Sequence, residues 1–187
     1  MEQYITEALA TLRSGGLILY PTDTVWGLGC DATNAEAVER IYKLKGSGDK
    51  KSMLALVDAP ENVARYVKSL PEVAQQLLEL SDKPLTLILS GACGIAPNLI
   101  PDDGSIGVRV PDHAFCRGLL RRLGRPLVST SANISGQVAP TRFADITSEI
   151  VAGVDYIVPL CCEGAPTRRP SSIIALGEGG QIKIIRE

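Results

Sequence analysis

With 187 residues, 19 Lys plus Arg against 21 Asp plus Glu, and 45% apolar side chains, the chain is too apolar for disorder and has a length that suits one domain of roughly 100 to 200 residues. A chain of this size buries about 70% of the surface its unfolded form exposes, so folding requires neither a disulfide nor a metal. The net charge of −2 supplies no overall field toward nucleic acid or acidic membranes, so any polyanion must be met by a local cluster of Lys and Arg.

The opening MEQYITEALATLRSGG has Glu2 and Glu7 where a signal peptide needs basic residues ahead of an apolar run. No apolar stretch approaches the ~18 residues of a membrane span, and a cytoplasmic chain is expected. Ile5, Ala8, Leu9 and Leu12 recur at helical spacing and predict a first helix over residues 3–14 that stops at Gly15 and Gly16. LILY predicts a strand. A second helix is expected to start at the capping-box pattern of Thr33 and Glu36, to bury Ala37, Val38, Ile41, Tyr42 and Leu44, and to end near Gly46. MLALV reads as a buried strand. Helices over 61–68 and 72–80 follow, the second announced by Ser69 and Glu72 with Pro71 inside its first turn. Strand LTLIL, the loop GACGIAPNLIPDDG and strand SIGVRV come next, then a helix over 114–123 and a strand PLVST that runs into SANISG. A helix near 143–151 and strands YIVPL, SSIIAL and QIKII complete the chain. About eight strands against five or six helices, without strict βαβα order, repeat or Ser/Gly linker, predict one α/β domain over 1–187 with a mixed sheet.

Cys30, Cys93, Cys116, Cys161 and Cys162 are odd in number and contain no C-x-x-C. Reduced, mostly buried thiols are expected, and no metal ligands are assigned. The one histidine, His113, reads as a surface residue starting a helix. Alone it is a thin basis for Ser-His or Cys-His catalysis.

Three loops combine hydroxyl, Gly and Pro residues at strand ends. In YPTDTVWGLG, Thr22 and Thr24 offer hydroxyls, while Gly27 and Gly29 let the backbone approach a ligand closely. A plain strand-turn-strand connection tolerates the same residues. In STSANISG, Ser129, Thr130, Ser131 and Asn133 directly follow an apolar strand, where polar groups are costly unless partnered. Such a cluster can cradle phosphate oxygens, or it can be an ordinary turn. TRRPSSIIAL brings Arg168 and Arg169 into a strand through Pro170, Ser171 and Ser172.

GSGDKKS superficially matches a nucleotide P-loop, but no Gly precedes Lys51 and Ser52, and the segment links helix to strand instead of strand to helix. Lys43, Lys45, Lys50 and Lys51 remain as charges that could neutralise a polyphosphate, or as a solvated basic loop. Arg117, Arg121, Arg122 and Arg125 form a second basic group on a helix, read as an exposed face with RNA backbone contact as the minority reading.

Taken in order, PTDTVWGLG, KPLTLIL, SIGVRVPDH, PLVSTSANISG and RPSSIIAL resemble the motifs of the YrdC family, the short bacterial threonylcarbamoyl-AMP synthases. These motifs are P-T-[ED]-T-x-[YW]-G-L-G, P-x-T-x-x-[LV], V-x-[RV]-x-P, T-S-A-N-x-S-G and P-S-T-[IV]. The resemblance runs nearly end to end. It implies an open, curved, mixed β-sheet with flanking helices and a concave ligand cavity, and no longer C-terminal domain. The implied activity is that of a nucleotidyltransferase making L-threonylcarbamoyladenylate and pyrophosphate from L-threonine, bicarbonate and ATP with Mg2+. Downstream proteins would use the product to modify tRNA. One departure stands out: the family usually has K-x-R where this chain reads Lys45, Gly46 and Ser47, and K-P-L where it reads Lys51, Ser52 and Met53.

By motif position, the resemblance implies that Thr22, Thr24 and Trp26 shape the threonine side of the cavity, with Thr130 and the pair Ser171 and Ser172 also lining the substrate site. Lys45, Arg109, Ser131 and Asn133 are the implied catalytic group. Lys45, Lys50, Ser129, Ser131, Asn133 and Arg186 are the implied nucleotide site, Arg186 closing over the nucleotide. Trp26 also fits a plain core role. In-line transfer to phosphorus needs positioning and positive charge more than a protein nucleophile. Two alternatives stay open: the carbamoyl-adenylate chemistry of HypF, which contains a related domain, and an RNA-binding module taking tRNA or double-stranded RNA.

Overall fold

The structure is a computed structural model that describes residues 1–46, 53–177 and 181–187. Helix α1 (Glu2–Arg13) leads through Gly15, whose φ of 79° makes the turn, into β1 (Ile18–Tyr20) and β2 (Gly27–Gly29). Then follow α2 (Ala35–Lys45), β3 (Leu54–Leu56), α3 (Glu72–Leu80), β4 (Leu85–Ser90) and β5 (Ser105–Arg109). The rest comprises α4 (Ala114–Leu123), β6 (Leu127–Ser131), α5 (Ser148–Ala152), β7 (Tyr156–Ile157), β8 (Ser172–Leu176) and β9 (Ile182–Arg186). Among the described residues the strands form one nine-stranded sheet in the order β7-β1-β2-β6-β3-β5-β4-β8-β9. Three of its pairings, β1 with β7, β3 with β5 and β4 with β8, are parallel and the others antiparallel. The sheet is therefore mixed, as its sequence pattern predicts.

The two-residue alternation of strands sorts the side chains. Leu17, Leu19, Leu28, Ala55, Leu87, Val108 and Val128 enter a core that takes in Ala37, Val38 and Ile41 of α2 and Ile150 of α5. On the opposite face Ile18, Tyr20, Leu56 and Leu127 pack beneath α1 and α4, whose contributions include Leu9, Leu12, Phe115 and Leu119. Each fully buried Val, Leu, Ile or Phe side chain among them contributes about 1.5–3 kcal/mol. This second layer covers only one half of its face. Among the described residues no helix lies over the half formed by β5, β4 and β8, and a cavity lies there.

Several local expectations are corrected. Asn34 caps α2, its Oδ1 accepting from Ala37 N at 3.1 Å. Thr33 is unavailable as the cap because its N–H and hydroxyl both go to Asp31 Oδ1. Pro71 holds the cap position of α3 without a side-chain bond, so the Ser69 and Glu72 pattern is not used. The helix expected over 61–68 is a 3-10 helix, Pro60–Arg65. Its continuation is lost because Val67 bridges to Ala92 and Lys68 N donates to Gly91 O. The helix expected over 143–151 splits into a 3-10 turn, Phe143–Asp145, and α5, since Ile146 turns extended and buries its side chain between them. His113 precedes α4 as expected but is buried, with Nε2 3.0 Å from the backbone O of Glu163.

Candidate active site

The cavity has a volume of about 430 Å3. Its floor follows from strand alternation: Val108 and Val128 face the core, so Arg109 and Ser129 face the other way, and Thr86 does the same between Leu85 and Leu87. Around this floor stand Thr22, Thr24, Thr130, Ser131, Ser171 and Arg186.

Arg109 is buried and organises the Thr22 to Thr24 turn. Its Nη1 donates to Thr24 Oγ1 at 2.8 Å, and its Nη2 lies 3.4 Å from Asp23 Oδ1 in an ion pair buried on both sides. That separation exceeds a good hydrogen bond, so the pair is chiefly coulombic. Asp23 Oδ2 also accepts from Asp112 N. Thr22 Oγ1 lies 2.8 Å from Thr24 Oγ1, 2.7 Å from Val25 O and 3.0 Å from Thr24 N. A hydroxyl has one proton. Thr22 gives its proton to Val25 O, so Thr24 is the donor between the two hydroxyls. Both threonine protons are thereby committed to the protein, and Thr24 Oγ1 keeps one lone pair for an N–H or O–H donor.

Lys45 is expected to face phosphate directly, but it is arranged differently. It is buried at the end of α2, outside the cavity lining, and Nζ donates to Ser131 O and Asn133 O at 2.7 Å each. Burial pushes its ammonium from the ordinary 10.5 down to about 8. Its backbone O accepts from Ser135 N, so Lys45 braces the whole SANIS turn. Asn133 also lies outside the lining: its Nδ2 donates to Ile134 O and Gln137 O, closing the turn on itself.

Trp26, expected beside threonine, lies in the core instead. Its ring packs 5.0 Å from that of Phe143, and Nε1 donates to Glu163 Oε1 at 2.7 Å. Ser172 is carried to the other face of β8 by alternation, whereas Ser171 bonds Thr86 Oγ1 at 2.7 Å within the cavity. Arg186 lines the cavity from β9, donating Nε and Nη2 to Ser171 O at 3.0 and 2.7 Å. Partial burial lowers the pKa of its guanidinium. Lys50 and Ser47 lie outside the described residues.

Gly27 and Gly29, expected to admit a ligand, admit Tyr20. A Cβ on Gly29 would stand 2.3 Å from Val128 O and 2.8 Å from the tyrosine ring, and one on Gly27 would meet that ring at 3.0 Å. Thr86, Ser105 and Asp103 also line the cavity and were not singled out from sequence. Thr86 had a legible signal, a polar residue alternating with Leu85 and Leu87. Asp23 had none beyond its place between two assigned threonines.

The α4 basic group is largely neutralised. Arg117 pairs with Asp112, Arg122 with Glu2 and Arg125 with the buried Asp31. Cys30, Cys116 and Cys162 are buried free thiols, and burial raises the pKa of Cys30 and Cys116. No helix among the described residues is long and apolar enough to cross a membrane.

Comparison with known proteins gives a consistent result. The threonylcarbamoyl-AMP synthase of Marinobacter nauticus is 36% identical over 178 residues, 94% of this chain and 93% of that protein. The mouse threonylcarbamoyl-AMP synthase is 32% identical over 183 residues, 96% of this chain but 65% of the mouse protein, so the chain spans just under two thirds of that relative. The crystal structure of P. abyssi Sua5 complexed with L-threonine superimposes with a TM-score of 0.85 at 29% identity, covering 97% of this chain and 53% of Sua5. With residues 10–187 matching the Sua5/YciO/YrdC family, described as "Telomere recombination", the chain belongs to that family.

Proposed function

We propose that the protein is an L-threonylcarbamoyladenylate synthase, a nucleotidyltransferase that joins L-threonine, bicarbonate and ATP and releases pyrophosphate. The observation that carries this reading is the convergence of Thr22, Thr24, Arg109, Ser129 to Ser131, Ser171 and Arg186 on one cavity. Its support is that relatives of matching length are named for this activity. The threonine amine takes up CO2 derived from bicarbonate and loses a proton, which leaves as water with the hydroxide of bicarbonate, giving a carbamate. A carbamate oxygen then attacks the ATP α-phosphorus in line, and the bond to the pyrophosphate oxygen breaks.

Each residue then has a part in this sequence. The free lone pair of Thr24 Oγ1 receives an N–H or O–H of the amino acid. Arg109 supplies a fixed, partly neutralised positive charge beside the carbamate, and the Ser129 to Ser131 hydroxyls and backbone orient the phosphates. Lys45 acts by holding that segment in place and is a positioning residue. Mg2+ arrives with the triphosphate as part of the substrate. The adenylate is an activated acyl donor whose consumer is tRNA modification. The test is mass spectrometry of purified protein incubated with L-threonine, bicarbonate, MgATP and pyrophosphatase. A threonylcarbamoyl-AMP adduct that disappears when threonine or bicarbonate is omitted is expected; ATP left intact, or AMP formed without the adduct, would sink the reading.

A further inference from the structure

Among the described residues eight glycines take positive φ, and one other residue does so: Arg168, at φ 56°. Glycine is the low-strain choice at such a position, and the chain uses it everywhere else. A long cationic side chain held in a strained conformation points to a use for that side chain. The conformation is held from outside. Arg168 N donates to Thr24 O and Thr167 N to Asp23 O, both at 2.9 Å, so the turn is stitched to the loop that carries the cavity threonines. Two residues later the chain reaches Pro170 and Ser171, which line the cavity. Arg168 is exposed, and no described residue pairs with its guanidinium.

The charges already counted at the cavity leave a need for it. Arg109 is paired with Asp23, the Lys45 ammonium is bound to two carbonyls, and Arg186 rests on Ser171 O. Ser47 stands where the family resemblance implies an arginine. A polyphosphate chain therefore meets little uncommitted positive charge on the described floor.

We infer that Arg168 is a binding residue for the polyphosphate chain of the nucleotide and for the pyrophosphate released from it, carried on the exposed left-handed turn that leads into the cavity-lining Pro170 and Ser171. A guanidinium suits this role because it can donate two parallel bonds to phosphate oxygens. The inference rests on the MgATP-using reading above, and its test separates the two. Calorimetric titration with inorganic tripolyphosphate and with MgATP would be run on the parent protein, Arg168→Gly and Arg168→Lys. Glycine removes the charge and the strain together, so Arg168→Gly should melt no lower than the parent. It should nevertheless bind tripolyphosphate and MgATP on the order of tenfold more weakly, with Arg168→Lys in between. If Arg168→Gly binds tripolyphosphate as tightly as the parent, the inference is overturned, whether or not the parent makes the adenylate. If the parent makes no adenylate yet loses tripolyphosphate affinity on Arg168→Gly, the phosphate site stands and the synthase reading falls.

Discussion

At the scale of single residues, Lys45 separates what a motif implies from what a side chain does. A lysine at the end of α2 is favoured by the helix dipole, and here it also satisfies two carbonyls of the turn that follows β6. A neutral amine still has two N–H donors for those two carbonyls, so the tether survives deprotonation. Because burial lowers the amine to about 8 from 10.5, the unfolded chain binds more protons than the folded one between those values. Stability contributed by Lys45 must then rise with pH across that window. Measured by urea unfolding, the stability of the parent minus that of Lys45→Met should grow between pH 8 and pH 10.5, by roughly 1–3 kcal/mol. A difference that stays flat would mean that the amine titrates as an ordinary exposed lysine and that the brace is loose.

Strand β2 makes the corresponding point for elements. GLG has no apolar alternation to read, because two of its three positions have no side chain, and the strand was accordingly invisible in sequence. What makes it a strand is Tyr20, whose buried ring occupies the space that side chains at Gly27 and Gly29 would fill. Gly29→Ala pushes a methyl into the backbone oxygen of Val128 and should cost about 1–3 kcal/mol in chemical denaturation. Gly27→Ala, which meets only the ring edge, should cost less; equal costs would mean that the ring and not the β6 backbone sets the limit. Elements with a full amphipathic period were legible nearly to the residue, α3 and α4 among them, because their burial stripe is written in the sequence. The failures at 61–68 and 143–151 arise where a distant partner, Gly91 in one case and the core around Ile146 in the other, outbids local helical preference. The candidate site was legible as a group of polar strand ends. Which members face the cavity was not, because a one-residue step moves Ser172 away from Ser171 and a turn closing on itself withdraws Asn133.

For the whole molecule, the decisive feature is the asymmetry of the sheet. One half has helices on both faces, and among the described residues the other is covered on one face only, so the residues of β5, β4 and β8 can meet a ligand without any of these helices having to move. The same asymmetry leaves β9 weakly secured: among the described residues it pairs with β8 alone, across an irregular register at Ile173 and Ile174, and all five of its residues are exposed. Yet β9 carries Arg186 into the cavity. Edge segments of this kind open at low free energy and exchange their amide hydrogens early. A nucleotide that adds contacts to Arg186 in the closed sheet must stabilise that sheet by mass action, about 2.7 kcal/mol at a hundred times its dissociation constant. Hydrogen exchange followed by mass spectrometry should therefore find residues 182–186 among the fastest in the free protein and markedly slowed by MgATP, while the α1 and α4 layer changes little. Protection confined to that helical layer, with β9 unaffected, would place the nucleotide away from Arg186 and from the uncovered half of the sheet.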